Sequence, residues 1–225
     1  MIPEQFRKAV TFSYDDGNTQ DIRLVELFNQ YGMKCTFNLN SGLNESHAWE
    51  YRGSQVTRLN LPESAEIYQG HEIAVHGLQH RNMTELSSEE LYQEIFADKQ
   101  NLTEFFGREP VGMAYPYGAY HENVIDMLRK ADLKYARTVN SNHSFAKQEH
   151  LLEFCPTCHH DDALLFDLAE KFLRSDSEEM QIFYIWGHSY EFDGNHNWDR
   201  FEKLLDMLAG KSDIFYGTNA EVLLP

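Results

Sequence analysis

The amino-acid sequence predicts an α/β fold, a barrel of about seven strands with its functional residues at the carboxyl ends of the strands. Three observations indicate this class. Apolar or β-branched runs alternate from end to end with segments of helical periodicity. The 225 residues, 42% of them hydrophobic, suffice for one core, and no low-complexity linker divides them, so residues 1–225 are expected to form a single domain. Polar clusters also follow several of the predicted strands.

The first quarter of the chain predicts a strand–helix–strand unit followed by an insertion. Residues 8–14 and 33–39 have the β-branched and aromatic content of strands, and residues 21–31 carry apolar side chains at helical spacing between them. Residues 40–60 are polar and irregular, with Trp49 among them. This composition predicts an insertion over one end of the fold.

The rest of the chain continues the alternation of strands and helices. Ser87 and Glu90 have the spacing of a capping box, which predicts a helix that begins there and ends near Phe106. The other predicted elements are a short helix at 62–69, a strand at 71–75, a strand at 111–114, a helix at 122–131, a strand at 133–139, a mostly loop segment at 143–157, a helix at 161–173, a strand at 181–186, a helix at 198–208 and a strand at 214–216.

The charge of the chain excludes two classes of partner. Asp plus Glu number 36 against 19 Lys plus Arg, a formal net charge of −17, which repels phosphate backbones and anionic lipids. We therefore expect neither nucleic acid nor a membrane surface as a partner.

No run approaches 18 apolar residues and no signal peptide precedes the first strand, so the chain as given predicts a cytoplasmic protein. Three cysteines are too few to indicate a disulfide framework.

Polar clusters lie where three predicted strands end. Asp15 and Asp16 follow the first strand, His76 and His80 follow the third, and His188 follows a later one. Adjacent carboxylates repel each other, and a bound cation relieves the repulsion. Two histidines and a carboxylate form a set of three ligands that leaves positions open for water and substrate. Each cluster alone is at least as typical of a turn or a surface pair as of a metal site. The prediction of a metal site therefore depends on their joint occurrence.

These motifs resemble those of the carbohydrate esterase family 4 polysaccharide deacetylases, which share a NodB-type homology domain. The resemblance covers nearly the whole chain and implies a distorted (β/α) barrel. It implies that Asp15 is the catalytic base. It also implies that Asp16, His76 and His80 bind one divalent metal ion, zinc in the first place, with cobalt or nickel as alternatives.

The resemblance further assigns a groove and an oxyanion donor. Residues 114–118 look like the third motif of the family, in which Tyr115 and Pro116 form a wall of the groove. The backbone N–H of Tyr117 is expected to donate to the oxyanion.

The last two motifs depart from the common family pattern in one residue each. The third motif often begins with an arginine that orients the base, whereas this chain has Ala114, and Arg137 could supply the guanidinium instead. Residues 185–188 are similar to the last motif, in which His188 protonates the leaving amine. Trp186 stands where that motif usually has leucine, so the pocket for the acyl group is expected to be bulkier or reshaped.

Residues 155–160, which read CPTCHH, have several functional interpretations. The spacing permits a c-type haem attachment, a redox pair or half of a zinc site. The simpler interpretation is a loop packed near the barrel mouth, where His159 or His160 could line the groove.

The function that the resemblance implies is metal-dependent removal of acetyl groups from an N- or O-acetylated saccharide, by hydrolysis of an amide or ester bond. A soluble oligosaccharide fits the chain as given better than a cell-wall polymer. Two alternatives remain open. One is a hydrolase of a small non-sugar amide, as in allantoinase-like relatives, and the other is a non-catalytic carbohydrate-binding relict of the fold, which Ala114 alone favours.

Overall fold

A curled sheet of parallel strands organises the fold. The computed structural model describes residues 2–43 and 48–225. The strands of the described residues are β1 (Lys8–Asp15), β2 (Cys35–Leu39), β3 (Ala48–Tyr51), β4 (Ser54–Thr57), β5 (Glu72–Val75), β6 (Gly112–Ala114), β7 (Tyr135–Arg137), β8 (Cys158–His159), β9 (Gln181–His188) and β10 (Ile214–Tyr216). The main sheet has the order β7-β6-β5-β2-β1-β9-β8, and β10 pairs with the first half of β1. All seven predicted strands are present.

One segment joins the two edges of the curled sheet. Phe154 forms a parallel bridge with Arg137 of β7. Three residues later, the N–H of Thr157 donates to the carbonyl of Tyr184 on β9, and β8 then pairs with β9. The segment therefore spans the gap between the edges, and the prediction of a distorted (β/α) barrel is confirmed. Strand β8 itself was not predicted, because two residues are too short for a periodicity to show.

Strand β1 lies in the middle of the sheet and is buried along its whole length. It pairs with β9 throughout, with β2 over its second half and with β10 over its first. A parallel strand that is covered on both faces has no polar face, which explains why residues 8–14 are mostly apolar. Its carboxyl end places Asp15 next to Asn38 of β2 and His188 of β9, its register partners.

The helices cover the sheet. They are α1 (Asp21–Gln30), α2 (Leu61–Ser64), α3 (Ser88–Tyr92), α4 (Asp98–Phe106), α5 (Glu122–Lys130), α6 (Leu165–Arg174), α7 (Tyr190–Gly194), α8 (Trp198–Leu208) and α9 (Asn219–Leu223). The predicted capping box of Ser87 and Glu90 is present at the start of α3. A π-helical turn over Gln93–Ala97 separates α3 from α4, so the single helix predicted there is interrupted. Within the described ranges, no helix combines the length and the apolar character needed to cross a bilayer.

The insertion predicted at 40–60 is not irregular throughout, because β3 and β4 form an antiparallel hairpin within it. Residues 44–47 of this prediction lie outside the described residues. The turn between the strands is Arg52-Gly53, and both residues have positive φ, 49° and 83°. Two-residue hairpin turns of this kind usually carry Asn-Gly or Asp-Gly. Because arginine occupies the first position of this turn, the sequence does not show the usual hairpin signal.

Candidate metal and acid–base site

The carboxyl ends of the parallel strands bring most of the predicted site residues together. Asp15 and His188 lie side by side on β1 and β9, with His188 Nε2 3.9 Å from Asp15 Oδ2. The loops after β1 and β5 add Asp16, His76 and His80 next to them. This edge is where ligands bind in open and closed parallel sheets.

Asp16, His76 and His80 form a compact group of possible metal ligands. Their ligand atoms all lie within 4.8 Å of one another. Asp16 Oδ1 is 3.9 Å from His76 Nε2 and 3.7 Å from His80 Nε2. His76 Nδ1 donates to the carbonyl of Ala114 at 2.8 Å, so its buried Nε2 carries the lone pair, and this atom has no hydrogen-bond partner among the described residues. The donor set therefore fits a divalent ion.

The protonation states of this group also suit a metal ion. Burial lowers the pKa of His76 and brings that of His80 to about 4, so both imidazoles are neutral at pH 7. Burial alone would raise the pKa of Asp16, but the charges of His188 and Arg58 outweigh it and lower the pKa to about 2. One carboxylate and two neutral imidazoles are the deprotonated forms that bind metal.

Arg58 supports Asp16, and sequence analysis missed this role. Asp16 has a positive φ of 84°, an uncommon conformation for a residue with a side chain. Arg58 donates through Nη1 to the Asp16 carbonyl and through Nη2 to Asp16 Oδ1 at 3.1 Å. It follows the β3–β4 hairpin, whose irregular sequence gave no sign that it reaches the site.

Two carboxylates accept hydrogen bonds from the backbone of the loop that carries His76 and His80. Asp98 accepts a hydrogen bond from the backbone N–H of His76 at 3.1 Å, and Glu94 accepts one from Gln79 at 3.0 Å. Glu94 lies in the π-helical turn and Asp98 directly after it. Turns of this kind recur at functional sites. Neither carboxylate was predicted, because a π-helical turn has no sequence signature of its own.

Arg137 lies against Asp15, at the place where a guanidinium orienting the base is expected. Its Nη2 is 2.7 Å from Asp15 Oδ1 and 2.5 Å from Oδ2, and Asn38 donates to Oδ1 at 2.8 Å. Arg137 is completely buried, with its guanidinium carbon 4.3 Å from the ring centre of Trp186. Burial alone would raise the pKa of Asp15, but the charges of Arg137 and His188 hold it below its usual value. Asp15 is therefore an ionised carboxylate at neutral pH.

His188 has the opposite protonation state, and Glu191 is the main reason. Glu191 Oε2 is 3.2 Å from His188 Nδ1. Burial lowers the pKa of His188, but the hydrogen bond and charge of Glu191, with the charges of Asp16 and Asp15, outweigh it and raise the pKa to about 9. Sequence analysis missed Glu191. Its only signal is its position three residues after His188, at the start of the short helix α7.

The residues of the third motif take different positions. Tyr117 has a φ of 58° and is 67% exposed, and its ring centre lies 4.7 Å from that of His80. Gly118 has a φ of 67°, and a Cβ there would lie 2.4 Å from Val139. Pro116 is buried. Tyr115 is also buried and donates its hydroxyl to the Leu152 carbonyl at 2.8 Å, so its side chain contributes packing below the groove and does not form the wall expected of it.

His159, the last residue of β8, lies beside the site, whereas the next residue, His160, belongs to the core. His159 lies 3.1 Å from Glu191 through Nε2, with its ring against Trp186, which is itself buried. His160 is buried between Tyr14 and Phe192, so it does not line a groove.

Close packing around His160 requires a glycine in β9. A Cβ on Gly187 would lie 2.0 Å from His160 Nδ1. Cys155 and Cys158 are free, and within residues 2–43 and 48–225 neither belongs to a group of three possible metal ligands.

The fold and the site define the class of protein: a parallel barrel with a carboxylate, a protonated histidine and three possible metal ligands at the carboxyl ends of its strands. The family follows from the sequence. Residues 3–136, more than half of the chain, match the family model described as polysaccharide deacetylase. The chain belongs to the polysaccharide deacetylase family, and the resemblance found in its motifs is confirmed.

Part of this chain is similar in sequence to known proteins. The peptidoglycan-N-acetylglucosamine deacetylase PgdA of Listeria monocytogenes is 23% identical over 121 residues, which are 53% of this chain and 23% of that protein. The chain thus spans about a quarter of the length of the curated relatives it matches.

Solved structures share the fold over almost the whole chain. A family 4 carbohydrate esterase from Streptomyces lividans, in complex with acetate, has a TM-score of 0.60 at 14% identity and covers 94% of this chain and 93% of its own. Wild-type BA3943 of Bacillus anthracis, described as a CE4 family pseudoenzyme, has a TM-score of 0.58 at 14% identity, with 97% and 66% covered. At these identities the likeness shows the fold alone.

Proposed function

We propose that this protein is a metal-dependent hydrolase that removes acetyl groups from an N- or O-acetylated saccharide. One observation carries the proposal. Asp15 is held ionised by Arg137, while His188, 3.9 Å away, is held protonated by Glu191, and both lie beside the group Asp16, His76 and His80. A neighbouring base and acid with separated pKa values are what hydrolysis of an amide requires.

The residues of the chain have separate roles in this reaction. Asp16, His76 and His80 would hold a divalent ion, which supplies Lewis-acid polarisation of the acetyl carbonyl and lowers the pKa of water. Asp15 accepts the proton of the attacking water on the carboxylate that Arg137 and Asn38 orient. The backbone N–H of Tyr117 donates to the developing oxyanion. His188 then donates the proton on Nε2 to the leaving nitrogen or oxygen.

Metal content and acetate release test this function together. Protein purified without chelator, loaded with one equivalent of zinc and desalted is expected to retain the ion bound by Asp16, His76 and His80, as measured by plasma mass spectrometry. It is expected to release acetate from acetylated saccharides. His76→Ala should lose both properties, and His121→Ala, at an exposed histidine before α5, should keep both. Failure of the wild-type protein to retain zinc and to release acetate would contradict the proposal.

Two other functions give different results in the same assay. Turnover of a small cyclic amide without acetate release from any saccharide would indicate an allantoinase-like hydrolase. A non-catalytic relict of the fold would bind saccharides without hydrolysing them. The likeness to BA3943, which is described as a pseudoenzyme, favours this alternative. The intact set of Asp15, Asp16, His76, His80 and His188 supports an enzyme instead.

Removal of the Glu191 charge should change the pH dependence of the reaction. Glu191 raises the pKa of His188, so Glu191→Gln should lower that pKa and shift the alkaline limb of kcat to lower pH. We expect a shift of roughly 1–2 pH units, since a hydrogen bond to a charged group contributes about 1.5–3 kcal/mol and one pKa unit corresponds to about 1.4 kcal/mol.

The wild-type rate should fall only as the pH rises through about 9, where His188 loses its proton. Glu191→Asp keeps a carboxylate and serves as the matched control, with a smaller shift. An alkaline limb that stays in place in Glu191→Gln would show that Glu191 does not hold the proton of His188.

A further inference from the structure

We infer that His159, His188 and Glu191 form a second metal site, separate from the group of Asp16, His76 and His80, which takes a divalent transition-metal ion such as zinc. The three ligand atoms of this second site are His159 Nε2, His188 Nδ1 and Glu191 Oε2, and they lie within 4.8 Å of one another. Two imidazoles and a carboxylate are a common donor set for zinc.

Two of the three spacings between these atoms match a tetrahedral ion, and the third lies within 4.8 Å. Glu191 Oε2 is 3.1 Å from His159 Nε2 and 3.2 Å from His188 Nδ1. Ligand atoms around a tetrahedral zinc with bonds of about 2.0–2.1 Å are about 3.3–3.4 Å apart. Small rotations of the side chains would therefore accommodate the ion. The side chains are 14–22% exposed, so an ion can reach them from solvent while the surroundings still exclude most water.

The hydrogen bonding around Glu191 is crowded, with several donors directed at one carboxylate oxygen. Glu191 Oε2 already accepts the backbone N–H of His188 at 3.1 Å, and three imidazole nitrogens face the same oxygen. Two of these nitrogens, His188 Nδ1 and His160 Nε2, are buried and have no partner of good hydrogen-bond geometry among residues 2–43 and 48–225. One carboxylate oxygen cannot accept from four donors with good geometry, and buried donors that are poorly satisfied are costly. An ion between His159, His188 and Glu191 would use the lone pairs of two imidazoles at once.

Occupancy of the second site has a consequence for catalysis, which rests on the proposed function. The ion would displace to solvent the proton that lies between His188 Nδ1 and Glu191. It would also require the proton of His159 to move from Nε2 to Nδ1, which now accepts the backbone N–H of Asp161. His188 would then carry no proton on Nδ1 and would no longer be the imidazolium that donates from Nε2. Zinc beyond the first equivalent should therefore inhibit deacetylation, while the first equivalent supports it.

Zinc binding to the intact protein tests the second site without any substrate. Isothermal titration of the metal-free chain with zinc is expected to show two ions for the wild type. Asp16→Asn should weaken the first site and leave the second, and His159→Ala should do the reverse. We expect the affected site to lose at least about 10–100-fold in affinity, the loss that removal of even an outer-shell partner causes.

A matched control comes from another histidine beside a carboxylate. His143 Nε2 is 2.7 Å from Asp162, and the residues that the structure describes offer this pair no third ligand, so His143→Ala should still bind two ions. His159→Gln provides a second test variant in case His159→Ala fails to fold, and circular dichroism checks both.

Two outcomes would overturn the second site: a wild type that binds one ion only, or a second ion whose affinity is the same in His159→Ala and His159→Gln. Either result leaves acetate release with one equivalent of zinc unaffected, so the proposed function stands. Conversely, a second ion that is lost in both His159 variants of a protein that releases no acetate supports the site and removes the proposed function.

Discussion

Arg137→Met is expected to lower the free energy of unfolding by about 3–5 kcal/mol at neutral pH, because it leaves a buried carboxylate without its charged partner. Asp15 is 3% exposed and Arg137 is completely buried, with two contacts of 2.5–2.7 Å between them. Methionine retains most of the aliphatic volume, so the change isolates the charge. Urea denaturation followed by the fluorescence of the tryptophans measures the loss.

A double-mutant cycle separates this pair from general damage to the core. Asp15→Asn in the Arg137→Met background removes the unpaired charge, so it should cost little or restore part of the stability. Asp15→Asn alone leaves the buried charge of Arg137 without a counter-charge and should destabilise the protein. Losses that simply add would show that the two side chains do not stabilise each other.

The pH dependence of the same loss has a definite sign. The pKa of Asp15 is lower in the folded protein, so its contribution to stability is present above the unfolded pKa of about 3.9 and is lost as the pH falls through the folded pKa. Without Arg137, burial should raise that pKa, and protonation in acid then relieves the unpaired charge. The difference in stability between wild type and Arg137→Met should therefore be largest near neutral pH and should shrink on acidification.

Arg137 and Glu191 illustrate what the sequence can predict about this site. The absence of a motif arginine at Ala114 pointed to another guanidinium, and Arg137 was the candidate because it lies near the end of a predicted strand, where side chains face the site. Glu191 belongs to no motif and lies in a helix of five residues, Tyr190–Gly194, which has too few turns to show periodicity. Its role depends on the register of β9, which only the three-dimensional structure supplies.

The same contrast holds for the fold. The seven predicted strands are long enough, or apolar enough, for their side-chain pattern to identify them, and β1 is the clearest case because both of its faces are buried. The β3–β4 hairpin was missed, although it carries Arg58 to Asp16, because its positive-φ turn uses Arg52 instead of Asn or Asp. Local sequence rules fail where tertiary contacts support an unusual turn, and here Arg52 donates a hydrogen bond to Asn195 Oδ1.

Asp15→Asn is expected to reduce the rate of acetate release by about 10²–10⁴-fold, the contribution typical of a general base. Asparagine has nearly the same shape and can still accept a hydrogen bond from Arg137, but its amide cannot take the proton of water. Because Asp15 is not one of the three proposed ligands, the variant should retain zinc as the wild type does. Single-turnover kinetics and metal analysis of the same preparation measure the two properties together.

Asp21→Asn provides the matched control for this experiment, since it makes the same isosteric change at another buried aspartate. Asp21 lies at the start of α1, accepts the hydroxyl of Tyr68 at 2.8 Å and has a pKa raised to about 7 by burial, so a neutral side chain is tolerated there. It should keep most of the activity. Equal losses in both variants would indicate that a buried carboxylate matters only for folding, and full activity in Asp15→Asn would mean that another group removes the proton from water.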